Sequence, residues 1–204
     1  MKYIAQAILL SLSVLTLSTH ASEPNWSKFQ ANFYFTCSVE PDCVRAYDNL
    51  MSAPEIAEKK FEAALYSMAH NGWDEATHVM RFYFKDAAEY VKAGQTFATS
   101  PAMAEFLASG REAGNEPQYQ TLTTHTLAKG DPRGTRVSLR YSINVSDPAT
   151  CVPAWTKMAA ELADKPWGGK AYGLQTYYLG NHGTMTHEMR GAFYKPMEAL
   201  TLLD

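Results

Sequence analysis

The pattern of apolar and polar positions predicts strands at three places along the chain. Residues 135–145 (TRVSLRYSINV) carry an apolar side chain at every second position, which is typical of a strand with one buried face. These apolar positions are Val137, Leu139, Tyr141, Ile143 and Val145. The aromatic segment 29–39 (FQANFYFTCSV) predicts a similar strand near the beginning of the chain, and residues 119–130 predict a third.

A helix is predicted after the strand at 29–39 and after the strand at 135–145. In the second of these helices Asp147 is the capping residue, and Pro148 takes the first helical position, where a missing N–H costs nothing. Apolar residues at spacings of three and four form its buried stripe: Val152, Trp155, Met158, Ala159 and Leu162. The first helix has the corresponding stripe Val44, Tyr47, Leu50 and Met51. Further helical segments are predicted at 86–110 and 195–204.

Two β-hairpins complete the predicted elements. Asn71-Gly72 separates two runs that are compatible with strands, and this dipeptide favours a tight hairpin turn. The corresponding turn in the second half is Asn181-His182-Gly183. A helix at 55–70 is the alternative, because Glu, Lys and Ala are frequent there. Its Tyr- and Gly-rich counterpart at 171–180 favours strands in both halves.

The chain repeats part of its own sequence. THVMRFYF at 77–84 and THEMRGAF at 186–193 agree at five of eight positions, including Thr, His, Met and Arg. CVRAY at 43–47 and CVPAW at 151–155 agree in the same order and at nearly the same offset. Two collinear matches predict an internal duplication, with equivalent residues in the two halves.

Each half then has the order strand, helix, strand, strand, helix, strand, which is that of a ferredoxin-like unit. The predicted fold class is α+β, with residues 22–130 as the first unit and 131–204 as the second. We expect 29–128 to superpose on 135–204, with His78 falling on His187. The second unit is short, so we expect its second helix to be truncated and its last strand to be missing.

With this order the sequence resembles the dimeric α+β barrel superfamily. The segment RFYFKDAAEYVKAGQTFATSPAMAEFLA at 81–108 is similar to a strand of that family followed by its helix. The superfamily includes antibiotic-biosynthesis-type monooxygenases, haem-degrading monooxygenases and stress-responsive barrel proteins. The resemblance implies that two units pack sheet to sheet as a barrel. Both units could come from one chain, as a monomeric pseudo-dimer, or the chain could form a homodimer.

The beginning of the chain predicts export. Lys2, the apolar run from Ile4 to Leu17 and the small residues Thr19 and Ala21 form a secretory signal peptide over residues 1–21. We therefore expect a periplasmic or secreted protein without a membrane span after cleavage. The net charge of −3 and the lack of a basic patch argue against nucleic acid as a partner and leave a small molecule as the expected one.

Three cysteines in an exported chain predict one disulfide and one free thiol. Cys37 ends the first strand and Cys43 begins the next helix, so a bridge across the short loop is favoured. Cys151 occupies the position equivalent to Cys43 in the second half, and we expect it to be buried and free.

The repeated histidines are the candidate catalytic residues. Alternation along a strand places His78 on the same face as Met80 and Phe84, and it places His187 on the same face as Met189 and Phe193. Two interpretations stay open. Each histidine is either a core residue bonded to a neighbouring hydroxyl or backbone group, or an acid, base or haem ligand. In the second case both would face one shared cleft lined by Met80, Phe84, Met189 and Phe193.

Two further groups of residues suggest ligand chemistry. Met185, His187 and Met189 project to one side of a strand, and their soft ligands favour Cu(I). Met is also a common core filler, so this metal site is an alternative to simple packing. Arg81 and Arg190 lie on the opposite face, where they are solvated, paired with Glu62 or Glu188, or anchor an anionic ligand.

Two classes of function follow. The resemblance implies a cofactor-independent monooxygenase-like enzyme that oxidises a small aromatic or quinone-like substrate, or haem, in the barrel cleft. A non-catalytic exported protein that binds such a ligand is the alternative, and a Cu(I)-binding protein is a third. Haem and Cu(I) are the cofactors that these hypotheses leave open. The strand faces do not indicate which side lines the barrel.

Overall fold

A computed structural model describes residues 26–72, 74–163, 171–180 and 183–200. The predicted signal peptide, the last four residues and Asn181-His182 of the second predicted turn lie outside these ranges. The described chain forms one sheet of seven antiparallel strands with helices against it, and it has the predicted α+β class.

The elements follow the predicted order closely. The strands are β1 (Phe29–Phe35), β2 (Glu62–Ser67), β3 (His78–Phe84), β4 (Pro117–Gly130), β5 (Val137–Ile143), β6 (Ala171–Leu179) and β7 (His187–Phe193). The helices are α1 (Glu40–Ser52), α2 (Pro54–Ala57), α3 (Ala87–Thr99), α4 (Pro101–Glu112), α5 (Pro148–Ala163) and α6 (Pro196–Leu200).

The alternative of a helix across 55–70 is realised only in the short α2, and β2 then pairs with β3 as an antiparallel hairpin. The tight turn predicted at Asn71-Gly72 is wrong, because β2 ends at Ser67 and β3 begins at His78, so residues 68–77 form a longer connection. The helical segment at 86–110 is divided into α3 and α4. Pro101 lacks the N–H that a continuous helix needs, and the Ser100 side chain accepts a hydrogen bond from the Met103 N–H to begin the new helix.

The strand order of the sheet is β2-β3-β1-β4-β6-β7-β5. The order β2-β3-β1 in the first half recurs as β6-β7-β5 in the second, and β4 joins the halves by pairing with β6. The pairing register recurs as well. His78 is opposite Phe35 and Ser67, while His187 is opposite Ile143 and Thr176.

The sheet is strongly curled. In a flat sheet β1 and β5, four strands apart in the order, would be separated by about 19 Å at about 4.8 Å per step. Instead the Arg140 guanidinium on β5 donates a hydrogen bond of 2.5 Å to the Tyr34 hydroxyl on β1. The two side chains meet across the concave face, so the sheet forms a half-barrel. Among the described residues no strand pairs with the outer edges of β2 and β5.

Gly180 permits the close approach of β6 to β4 at one end of this curl. Its φ is +67°, and a Cβ there would lie 2.0 Å from the Gln120 carbonyl oxygen. Only glycine avoids both the strained backbone and this contact. The register of β4 against β6 also shifts beside this point, between Leu122 and Thr123.

The helices cover the convex face and form two separate apolar clusters with it. The larger cluster lies between the first half of the sheet and α1–α4 and includes Leu50, Ile56 and Phe82. The smaller one lies under α5 and contains Trp155, Ala159 and Leu174. Three residues predicted to be buried are exposed instead: Val44, Tyr141 and Met158. Val44 and Met158 lie beside the buried stripes of their helices, and Tyr141 lies on the outer strand β5. None of the described helices is long and apolar enough to cross a bilayer.

Candidate functional site

A large apolar cavity lies between the first half of the sheet and helices α1, α3 and α4. Its volume is about 1350 Å³, and we call it the helix-side cavity. Alternation along β1 and β3 supplies its floor, which consists of Ala31, Phe33, Phe35, Met80, Phe82 and Phe84. Phe97 and Phe106 line it from the helices. Ligand pockets are usually of about 300–1,000 Å³, so the cavity has room for a multi-ring molecule.

Exposed polar residues such as Asp42, Arg45, Glu105 and Arg111 also line the helix-side cavity, and Tyr47 is half-buried among its apolar walls. Burial, with a smaller contribution from Asp48, raises the pKa of Tyr47 to about 12, so this phenol stays protonated and can donate a hydrogen bond to a ligand. Cys43 also lines the cavity, and a disulfide joins it to Cys37 with the two Cα atoms 6.4 Å apart. The bridge ties the end of β1 to the beginning of α1 beside the cavity. Cys151 is half-buried and free.

The concave face of the sheet carries a second, polar group of residues. We call this space the lumen and define it by its large side chains, which are Tyr34, Tyr66, Arg81, Tyr83, Arg140, Glu188 and Arg190. The guanidinium of Arg140 binds Glu188 through both carboxylate oxygens, with Nε 2.6 Å from Oε1. Burial alone would raise the pKa of Glu188, but the charge and hydrogen bonds of Arg140, together with the charges of Arg81 and Arg190, outweigh burial and hold that pKa below its usual value.

Arg190 connects the two halves across the lumen. Its guanidinium donates to the side-chain oxygens of Gln30 at 2.7 Å, Ser138 at 3.2 Å and Tyr83 at 3.4 Å. Gln30 also accepts from the Gln175 amide at 3.3 Å, and both glutamines are fully buried. A buried polar network of this kind stabilises one arrangement of the curled sheet, because each broken bond leaves an unpaired group.

His125 extends this network at its edge. Its Nδ1 lies 2.7 Å from the Ser27 carbonyl oxygen, and its Nε2 lies 2.7 Å from the Gln175 amide nitrogen. The first contact requires an N–H on Nδ1 and the second a lone pair on Nε2, so the ring is neutral. Burial lowers the pKa of His125 to about 4, which agrees with this state.

Tyr83 is the lumen hydroxyl whose proton is most easily lost. Burial would raise its pKa, but the nearby Arg190 and Arg81 charges outweigh burial and lower the pKa to about 8. The Tyr66 hydroxyl lies 3.4 Å from the Tyr83 hydroxyl and can donate to a phenolate there. Arg81 itself is buried, with its guanidinium 4.5 Å from the centre of the Tyr66 ring.

The histidines predicted as catalytic candidates do not face the lumen and do not share a pocket. Both are buried on the helix-facing side of the sheet. In each, Nδ1 lies about 3 Å from the hydroxyl of the preceding threonine, at 3.0 Å for His78 and 2.9 Å for His187. Burial lowers both pKa values.

The prediction of one pocket around both histidines is therefore wrong. The sheet curls towards the face that carries the arginines, and on the other face the helices pack against the two halves separately. Met80 and Phe84 line the helix-side cavity, whereas Met189 packs against the cluster under α5. Phe193 is fully buried in the second half.

The three predicted copper ligands do not project together into an open site. Met185 is half-buried, His187 bonds to its neighbouring hydroxyl, and Met189 contacts the apolar Trp155 cluster. Within the described residues, no three His, Cys, Asp or Glu side chains are grouped so as to hold a metal ion.

Arg81 and Arg190 both lie on the face of the sheet opposite the two histidines, and neither is paired with a glutamate. Glu188 binds Arg140 rather than Arg81 or Arg190, and Glu62 is exposed at the outer strand β2. The residues that sequence reasoning missed are Gln30, Tyr34, Tyr83, Arg140 and Gln175. The sequence contains one indication of these residues, because Gln30 and Asn32 are polar positions within the otherwise apolar segment 29–35. In the structure this segment is β1, which pairs with a strand on each side.

Comparison with known proteins supports the fold. No protein-family model and no curated protein sequence matches the chain. Among solved structures, an anthrone oxidase-like protein has a TM-score of 0.57 at 10% identity, covering 88% of this chain and 78% of that one. This likeness supports the α+β fold.

Two further solved structures are called putative monooxygenases. The one from Fusobacterium nucleatum has a TM-score of 0.58 at 11% identity, covering 86% of this chain and 80% of that one. The one from Lactobacillus acidophilus has a TM-score of 0.54 at 10% identity, covering 88% and 82%. The chain thus has a monooxygenase-like α+β fold, and at this identity the likeness concerns the fold alone.

Proposed function

We propose that this protein binds a small, flat aromatic molecule in the helix-side cavity. The observation that carries the proposal is the cavity itself, about 1350 Å³ of apolar space between a curled sheet and its helices. Mostly apolar walls with a few polar groups are the usual composition of a small-molecule site. The Tyr47 phenol is the group that would orient a ligand oxygen by donating a hydrogen bond.

The cavity walls favour an aromatic ligand. Phe82 lies at the centre of a group of rings, with centroid distances of 5.9 Å to Phe33 and 4.9 Å to Phe97. The interplanar angle to Phe33 is 85°, an edge-to-face arrangement. A flat ligand added to such a group gains further edge-to-face or offset contacts, each worth about 0.5–1.5 kcal/mol beyond burial.

We further propose that the protein is exported and acts in the periplasm or outside the cell. The predicted signal peptide at 1–21 supports export. The Cys37–Cys43 disulfide is in keeping with it, since such bonds persist in oxidising compartments.

The chain is proposed to be an internally duplicated pair of ferredoxin-like units, in which one chain supplies what two chains supply in dimeric barrels. Equivalent contacts around Thr77 and Thr186 support this. The hydroxyl of Thr77 accepts from the Cys37 N–H, and that of Thr186 accepts from the Val145 N–H. Each threonine N–H also donates to the carbonyl that ends the neighbouring strand. The second unit ends at α6 in the described residues, without a counterpart of β4.

Oxidation of the bound ligand is the second candidate function, and the names of the similar structures favour it. An oxidase of this type would convert anthrone and O₂ to anthraquinone and water. One oxygen atom of O₂ becomes the new carbonyl oxygen, and the other leaves as water. The chain would bind the ring system and exclude bulk water. No histidine is among the described residues that line the cavity, so neither His78 nor His187 is proposed to move the proton.

The cofactor hypotheses fit less well. Haem held by an imidazole does not fit the helix-side cavity, because its described lining offers Tyr and Met side chains but no His. A Cu(I) site at Met185, His187 and Met189 would require the Met189 thioether to leave its packing against the Trp155 cluster. We therefore derive no step through haem or copper.

Binding is tested with anthrone and haemin as probes and with a variant that fills the cavity. Gly94 of α3 lines the cavity, and a Cβ at Gly94 would meet no atom within 4 Å, so the backbone at this position has room for a side chain such as that of Gly94→Phe. Gln95→Phe, at the next exposed position of the same helix, is the matched control. We expect fluorescence titration to show anthrone binding by the wild type and Gln95→Phe, and at least about tenfold weaker binding by Gly94→Phe.

Failure of the wild type to bind either probe, together with no bound organic molecule by mass spectrometry of protein from its native compartment, would contradict the proposed function. Equal binding by all three proteins would show that the ligand lies elsewhere. Oxidation is read separately, as oxygen uptake and anthraquinone formation above the rate without protein. Binding without oxygen uptake would leave a non-catalytic binding protein.

A further inference from the structure

Arg81 differs from the other guanidinium groups of the lumen in having nitrogen atoms that no protein group binds. The residue is 3% exposed, yet its Nε and Nη1 atoms have no hydrogen-bond partner. Arg140 and Arg190 each donate to three acceptor atoms. A buried charged donor without an acceptor is strongly unfavourable, so Arg81 requires a partner that the neighbouring side chains do not supply.

The neighbours of Arg81 are engaged elsewhere or too short. Asn32, its register partner on β1, accepts from the Gln30 amide at 2.5 Å and donates to the Thr121 hydroxyl at 2.9 Å. Ala64, its register partner on the outer strand β2, has only a methyl group. The Tyr66 ring offers its face to the guanidinium, which attracts the charge but accepts no strong hydrogen bond.

Positive charge also exceeds negative charge around the lumen. Three guanidinium groups face it, and the carboxylate of Glu188 is already bound through both oxygens to Arg140. At one end of the lumen the Asp74 carboxylate accepts from the Tyr119 hydroxyl and the Ala76 N–H. Glu62 interacts mainly with the outer groups Arg133 and Glu89. A mobile anion would restore the balance.

We propose that the lumen binds a small oxyanion, which accepts hydrogen bonds from the unpartnered nitrogen atoms of Arg81 and is further attracted by Arg190 and Arg140. The ligand class comprises inorganic oxyanions and the carboxylate group of a small acid, both of which guanidinium groups bind well. Arg140 lies on the outer strand β5, and its side chain is 14% exposed. The outer edges of β2 and β5 are unpaired among the described residues, which leaves this side of the half-barrel unclosed.

This site is separate from the helix-side cavity. Alternation along β3 directs Met80 and Phe82 to the cavity, and it directs Arg81 and Tyr83 to the lumen on the other side of the sheet. The inference therefore does not depend on the proposed function. Gly94→Phe, which fills the cavity, should leave oxyanion binding unchanged.

The test measures thermal unfolding of the purified protein in chloride buffer at constant ionic strength, with increasing inorganic phosphate, sulfate or acetate. A ligand that binds only the folded state raises the midpoint in a saturable way. We expect this rise for the wild type with at least one of these anions, and calorimetric titration should give the same affinity. Response to phosphate or sulfate alone identifies an inorganic anion, whereas response to acetate alone identifies a carboxylate.

Arg81→Met removes the guanidinium and keeps much of its length, and Arg133→Met removes an exposed guanidinium as the control for net charge. We expect Arg81→Met to weaken oxyanion binding at least about tenfold, since hydrogen bonds to charged groups are strong. Arg133→Met should bind as the wild type does. Because an unpartnered buried charge is lost, Arg81→Met should also unfold no earlier than the wild type in chloride.

Several results would overturn the inference. One is the absence of any saturable response of the wild type, which would mean that water or an ionised Tyr83 satisfies Arg81. Another is binding weakened equally by Arg81→Met and Arg133→Met, which would indicate an adventitious ion only. If Arg81→Met does not fold, Arg81→Lys replaces it, and an affinity unchanged in Arg81→Lys would equally refute a site built on the guanidinium.

Discussion

Glu188→Gln should be among the most destabilising isosteric substitutions in this protein. The side chain is 2% exposed and receives the Arg140 guanidinium on both oxygens, and the Tyr177 hydroxyl donates to it at 3.3 Å. Glutamine keeps the shape but replaces one acceptor oxygen with an NH₂ group that faces guanidinium donors. It also leaves the buried Arg140 without a counter-charge.

The expected cost follows from this geometry. Removing one partner of a buried, hydrogen-bonded ion pair costs about 3–5 kcal/mol. The control is Asp131→Asn, which breaks the Arg133–Asp131 pair, whose side chains are 63% and 46% exposed. Water and salt screen such an exposed pair, so the control should change the free energy of unfolding little.

Urea unfolding at neutral pH, followed by circular dichroism, measures both values. The dependence on urea should keep its slope, so that the change in midpoint reports stability. In the double variant Glu188→Gln/Arg140→Met the cost should fall short of the sum of the single costs by about 2 kcal/mol, because the orphaned charge is removed as well. A Glu188→Gln cost no larger than that of Asp131→Asn would refute this description of the lumen.

Two further predictions concern single groups. Tyr83 should ionise with a midpoint near pH 8, below the ordinary tyrosine value near 10, and the ultraviolet tyrosinate absorbance in this range should disappear in Tyr83→Phe. Since the pKa of Tyr83 is lowered in the folded state, its ionisation should add stability as the pH rises from about 8 towards 10, and a midpoint near 10 would contradict the arginine contacts. Thiol counting on the denatured, unreduced protein should find one free thiol, at Cys151, and three free thiols would contradict the Cys37–Cys43 bridge.

Local patterns were sufficient to predict the elements. Alternation in 137–143 and the Asp147-Pro148 helix start each depend on residues close in sequence, and the structure has a strand and a helix where they indicate them. In both matched segments, 77–84 and 186–193, the histidine Nδ1 lies about 3 Å from the hydroxyl of the preceding threonine.

The candidate site was harder to predict, because it depends on the direction in which the sheet curls. Alternation separates His78 from Arg81 onto opposite faces but does not distinguish concave from convex. That choice arises from the pairing of β4 with β6 and from contacts such as Tyr34 with Arg140, which are 106 residues apart. Gln30 and Asn32 of β1 and Arg140 of β5 resembled solvent-facing residues, although the half-barrel largely encloses them.

Strand β3 separates the apolar helix-side cavity from the charged lumen by the thickness of a single strand. Val79, Arg81 and Tyr83 belong to one side, and Met80 and Phe82 belong to the other. Inserting or deleting a single residue here would exchange the two sides, placing a guanidinium among the phenylalanines and a phenyl ring among the arginines. The loops around β3 can therefore change in length without this effect, whereas an insertion or deletion between residues 79 and 83 cannot be accommodated.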